Sequence, residues 1–181
     1  MRPAAAASLI FVMSVAFSCG PKVPPGWTTY NSPEGRYSVL FPGKPELSAD
    51  QSPAHTGETL TEYFAICTDP DAGSDVVYNV TYFDLAPQMA YSFDQARDGY
   101  LKAVNGTLQS EKTIQFHGYS GRELNATTNS PGKVFNLVTR IILVEKRVYM
   151  VQFIFAKLFD AARAAEKSAT FFNSFALTNS H

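Results

Sequence analysis

Val134-Phe-Asn-Leu-Val-Thr-Arg-Ile-Ile-Leu-Val144 and Arg147-Val-Tyr-Met-Val-Gln-Phe-Ile-Phe155, separated only by Glu145-Lys146, decide how this chain folds. Side chains of a strand alternate between the two faces of its sheet, and here both alternating sets are largely apolar. Such strands are expected to lie centrally in the sheet, with helices covering one side. The two runs read as a hairpin. Glu145-Lys146 stands where a tight two-residue turn prefers Asn-Gly, so a longer or irregular turn is expected there.

Outward from this hairpin, the same period marks further strands. Leu108 to Phe116 and Tyr119 to Thr127 precede it, and Glu58 to Cys67 and Val76 to Asp84 form a pair joined by an acidic loop. Trp27 to Tyr30 and Arg36 to Phe41 flank a turn, Asn31-Ser32-Pro33-Glu34-Gly35, rich in turn-forming residues. In the second of these, Tyr37, Val39 and Phe41 are expected in the core. Pro42-Gly43-Lys44-Pro45 ends that strand, and a polar loop is expected to follow to about Gly57.

Two segments carry helical spacing. Ser92 caps the first and Gln95 follows it in capping-box register; Phe93, Ala96, Tyr100, Leu101 and Val104 form its apolar stripe, and Asn105-Gly106 stops it. The second runs from about Phe159 to Asn173 and is rich in alanine. The order of elements predicts an α+β fold: a mainly antiparallel β-sheet of about six to seven strands flanked by two α-helices.

The N-terminus has a different character. Arg2 precedes an uncharged apolar run, Ala4 to Phe17, too short to span a bilayer and suited to an export signal. It ends in Ala16-Phe17-Ser18-Cys19, which is similar to a lipobox, although Phe17 is bulky for its place. The expected organisation is a signal peptide over 1–18, a lipidated Cys19 and Pro-rich tether over 19–26, and a single domain over 27–181. Two or more acyl chains on Cys19 would hold the protein to a bilayer. Gly20 after the thiol, rather than Asp, favours the outer membrane, facing the periplasm, where the source has two membranes. Cleavage by ordinary signal peptidase would leave the same Cys19 without lipid.

With 15 basic and 16 acidic side chains among 181 residues, the chain offers no basic footprint for nucleic acid. No cofactor is expected and no catalytic set stands out. Ser120, in Gly118-Tyr119-Ser120-Gly121, lacks the spacing and setting of a nucleophile elbow. His55, His117 and His181 are dispersed; a site around His117, Arg122 and Glu123 would need convergence in space. Asp69, Asp71 and Asp75 form an acidic loop that departs from calcium-loop spacing and reads as a solvated turn. Cys67 reads as a buried thiol. Phe153, Phe155, Phe159, Phe171, Phe172 and Phe175 read as core packing, with an apolar groove for lipid or peptide as the alternative.

The stretch Tyr30-Asn31-Ser32-Pro33-Glu34-Gly35-Arg36-Tyr37-Ser38-Val39-Leu40-Phe41-Pro42-Gly43-Lys44-Pro45 resembles the opening of many bacterial envelope proteins. Gly121-Arg122-Glu123 and Phe172-Asn173-Ser174-Phe175-Ala176-Leu177 look like the same group, and the element order is similar to the PsbP-like fold. The resemblance implies a non-enzymatic binding or assembly module with an unidentified protein partner, and transfers no functional residue. A carrier of lipid or a small hydrophobic ligand is the alternative.

Overall fold

The computed structural model describes residues 23–53 and 58–178, so Cys19, residues 1–18, His55 and His181 lie outside the described residues. The central hairpin forms as β8 (Lys133–Val144) and β9 (Arg147–Ala156), paired antiparallel from Phe135↔Ala156 to Val144↔Arg147. That register leaves only Glu145 and Lys146 in the turn, which corrects the expectation of a longer one. Glu145 takes φ 56°, a left-handed conformation unusual for its type. Tertiary bonds hold the turn in place: Leu85 N–H donates to the Lys146 carbonyl at 2.7 Å, and Lys146 Nζ donates to the Met89 carbonyl at 2.9 Å.

The remaining strands are β1 (Thr28–Ser32), β2 (Tyr37–Phe41), β3 (Glu46–Pro53), β4 (Thr59–Asp69), β5 (Gly73–Asp84), β6 (Gly106–Phe116), β7 (Tyr119–Ser130) and β10 (Ala176–Leu177). With β8 and β9, five of these form a seven-stranded antiparallel sheet in the order β3-β4-β5-β9-β8-β7-β6, and β1-β2-β10 form a second, small sheet. Two meanders thus meet at the β5–β9 ladder. The chain leaves β5, crosses through α1 (Phe93–Ala103), enters at the far edge as β6 and runs back until β9 pairs with β5.

The stretch read as a polar loop contains β3, which pairs with β4 from Glu46↔Ile66 to Pro53↔Thr59. It escapes the alternation rule because an edge strand with a largely solvated surface has no apolar face to display. The short β10 pairs with β2 and is likewise absent from the sequence reading.

Both faces of the large sheet are covered, as the doubly apolar hairpin requires. Tyr78, Val80, Tyr149, Val151, Phe153 and Ile142 face one core with α2 (Ala161–Ser174) and the small sheet. Phe83, Leu124, Leu137, Ile141 and Val148 face the other, with α1. The helices therefore lie on opposite faces, not one. α2 packs on β2 and β9, while α1 packs on β6 and β7.

Local signals are realised at the helix ends. The Ser92 hydroxyl accepts from Gln95 N–H at 3.3 Å, and Asp160 accepts from Arg163 N–H at 2.8 Å. Asn105 takes φ 47° after α1. Tyr37, Val39 and Phe41 are buried, as their alternation demands. At the described end of the tether segment, Trp27 N–H closes a turn on the Pro24 carbonyl at 3.1 Å, with Gly26 at φ 80°. The Trp27 ring meets Tyr78 edge-on at 5.4 Å.

Candidate functional site

An open cleft of about 330 Å³ lies where the small sheet stops short of the β3–β4 edge. Tyr30, Glu34 and Tyr37 form one wall, Leu47 and Tyr63 the other, and Tyr82, Asp84 and Arg147 the floor. Leu47 and Tyr63 are 61% and 43% exposed, in a chain whose other large apolar strand residues are mostly covered. Both project from the same face, since Leu47 pairs with Ala65 and Tyr63 lies two residues from it.

The floor is rigid. Arg147 clamps the Asp84 carboxylate through Nε and Nη2, both at 2.6 Å, and Nη1 donates to the Glu34 carbonyl at 2.6 Å. Its guanidinium lies 4.8 Å from the Tyr82 ring centre, and Tyr63 stacks on Tyr82 at 4.9 Å with only 15° between planes. The bonds from Arg147 hold the Asp84 carboxyl below the usual carboxylate range. Tyr149 completes the dock by donating its hydroxyl to the Gly35 carbonyl at 2.7 Å.

This dock explains the turn motif. Gly35 N–H donates to the buried Ser32 hydroxyl at 3.1 Å, and a Cβ on Gly35 would fall 2.5 Å from that oxygen and 2.6 Å from the Tyr37 ring. Arg36 takes φ 54° to turn the chain into β2. At Gly121 a Cβ would fall 2.6 Å from the Ile141 carbonyl oxygen of the neighbouring strand. These glycines serve backbone approach, and no chemistry is attached to them.

The other candidate residues stand apart. Asp69 is fully buried and accepts from Asp71 N–H, Ala72 N–H, Tyr78 Oη and Lys167 Nζ, the last at 2.7 Å. Burial alone would raise its carboxyl; the Lys167, Tyr78 and Asp71 bonds outweigh that and hold it low. Asp75 pairs with Lys133, and Asp71 lies exposed at the tip. Among the described residues no three His, Cys, Asp or Glu side chains stand together as a metal set.

Arg122 and Glu123, adjacent on β7, point to opposite faces. Arg122 joins Glu111 and Asp94 on the α1 side. Glu123 accepts from Lys112 and Arg140, each at 2.7 Å, and Arg140 lies over the Phe172 ring of α2. His117 occupies the β6–β7 turn with Gly118, at φ 49° and 86°, against the Phe116 ring. The three do not converge. Ser120 lies in β7 opposite Gln115. Cys67 is a buried free thiol whose ionisation burial pushes up.

Phe153, Phe171, Phe172 and Phe175 are buried in one aromatic core with Tyr37, Tyr78 and Tyr149, while Phe155 and Phe159 pack at its margin. Ring centres there lie 5.2 to 5.7 Å apart for Tyr78–Phe153, Tyr78–Phe171, Phe171–Phe172 and Tyr149–Phe175. This cluster is core, not groove. The cleft was not legible in the sequence, because its walls come from β1–β2 and β3–β4, and β3 had no strand signal.

No protein-family model matches the chain, and no curated protein matches it by sequence. Among solved structures it is similar to the cyanobacterial PsbP protein CyanoP from Synechocystis sp. PCC 6803, with a TM-score of 0.59 and 11% identity over 88% of this chain and 97% of that one. Weaker overlaps are with PA94 from Pseudomonas aeruginosa (TM-score 0.46, 17% identity, 79% of this chain and 92% of that). LpqN, involved in cell envelope biogenesis of Mycobacterium tuberculosis, overlaps at 0.43 with 13% identity, over 87% of this chain and 82% of that. Neither of these two is close enough to define a fold. The extent and score of the CyanoP overlap, with the antiparallel sheet and its two helices, identify the fold of this chain as PsbP-like.

Proposed function

We propose that this protein is a lipid-anchored, non-enzymatic binding module of the bacterial cell envelope, whose domain engages a protein partner. The anchor is Cys19, acylated after removal of residues 1–18, and the tether is the Pro-rich segment that leads into Trp27. In a source with two membranes the domain faces the periplasm from the outer membrane.

The observation that carries the binding reading is the cleft beside β3. It exposes Leu47 and Tyr63 over a floor already locked by Arg147, Asp84 and Tyr82. Exposed apolar side chains on a rigid floor suit recognition, which loses little entropy when the surface is preorganised. The charged groups nearest to chemistry are engaged in holding the fold: Asp69 with Lys167, Glu123 with Arg140, Glu111 with Arg97 and Arg122. The carrier alternative required a cavity in the C-terminal aromatic cluster, and that space is filled by packed rings.

The test is membrane fractionation with crosslinking in the native cell. Wild-type protein is expected in the membrane fraction, and Cys19→Ala in the soluble fraction or uncleaved. A reproducible crosslinked partner that is lost on Tyr63→Ala and Leu47→Ser supports the module. Recovery of the protein free of any partner under both conditions overturns it.

A further inference from the structure

The two edges of the large sheet are treated differently. β6 carries a register break between Leu108 and Ser110, and its Glu111 and Lys112 are tied into ion pairs with Arg97, Arg122 and Glu123. These are the devices that keep an edge from pairing with another chain. β3 carries two acidic side chains, Glu46 and Asp50, but no bulge and no ion pair with a cation among the described residues. Its eight residues pair with β4 in unbroken register, it contains no Lys or Arg, and its one proline is the last residue. It lies at the edge of the sheet next to the cleft, with no further strand beside it among the described residues, and its Gln51 N–H donates to the Asp50 carboxylate at 2.8 Å.

The two faces of β3 differ in chemistry. Leu47 lies on the cleft side, beside Tyr63. Asp50 lies on the opposite side and pairs directly with Glu62 of β4. Like charges directly opposite one another across a ladder are unfavourable, and no Lys or Arg among the described residues pairs with either. Burial and then the neighbouring Asp50 push the Glu62 carboxyl up, against a lowering hydrogen bond from Ser52.

We infer that β3 is the docking edge for an extended, basic segment of a protein partner. The segment adds a strand to the sheet, places an apolar side chain against Leu47 and Tyr63, and places a Lys or Arg over the Asp50–Glu62 pair. Main-chain bonds supply affinity and the alternating side chains supply choice. The inference rests on the binding-module reading and specifies the class of its partner.

The test uses the full mature chain and two synthetic peptides, one alternating Lys and Val, the other alternating Glu and Val. Amide hydrogen exchange of β3 is followed with each peptide at about 1 mM, where even a weak contact registers. The Lys peptide is expected to slow the outward β3 amides severalfold, and the Glu peptide to leave them unchanged. Asp50→Asn with Glu62→Gln should remove that preference while the protein stays at least as stable as wild type. Equal protection by both peptides, or by neither, overturns the inference. So does concentration-dependent self-association that protects β3 without peptide, which would make a second copy the occupant. Cellular crosslinking that finds no partner contradicts the broader reading instead, so the two failures are distinguishable.

Discussion

Asp69 has no solvent exposure and remains ionised because four donors converge on its two oxygens. Removing the charge would leave Lys167, with only 15% of its side chain exposed, facing an uncompensated site. Asp69→Asn should therefore cost about 3 kcal/mol, measured by urea unfolding at neutral pH. The pH dependence has a definite sign. A folded-state value below the ordinary one contributes stability above the unfolded pKa, and that stability is lost as pH falls through the folded value. The variant should lack this acid-side loss. Glu62 has the opposite sign: its raised value favours folding below the unfolded pKa, and this is lost as pH rises through the folded value. Glu62→Gln should raise stability at neutral pH and change it little in acid, as pH-dependent melts would show. Neither role was legible in the sequence. Asp69 stood there as one of three loop carboxylates, and Lys167 lies 98 positions away on a helix.

At the scale of elements, the segments with a buried stripe were readable and those without one were not. β5, β8 and β9 declare themselves through apolar residues on alternate positions, and α1 through its spacing and its Ser92 cap. β3 is polar because it is an edge, and β10 has only two residues. The face each helix covers follows from how the chain crosses over the sheet, which the apolar pattern of a helix does not record. The β8–β9 turn is the instructive error. Pairing along both strands and the bonds to Lys146 impose a two-residue turn on residues that do not favour one. Because Glu145 sits at φ 56°, Glu145→Gly should stabilise the protein by about 0.5–1 kcal/mol, read as a rise in thermal midpoint. On α2, Phe171 is fully buried between Phe41 and Tyr78. Phe171→Ala should cost about 3–5 kcal/mol in a denaturant titration, the range for removing a core aromatic ring.

For the whole molecule, the sequence and structure divide the account between them. The PsbP-like domain puts an open edge and an aromatic cleft on one side of a doubly covered sheet. The N-terminal segment supplies the reason to expect that surface at a membrane, since the proposed lipid on Cys19 would sit only a few residues from the domain. The anchor is thus the central claim, because it turns a binding domain into an envelope module. Intact-mass analysis of protein purified from its own cells tests it most directly. The account predicts a chain that begins at Cys19 and carries the added mass of a diacylglyceryl group; a bare Cys19, or retention of residues 1–18, would contradict it.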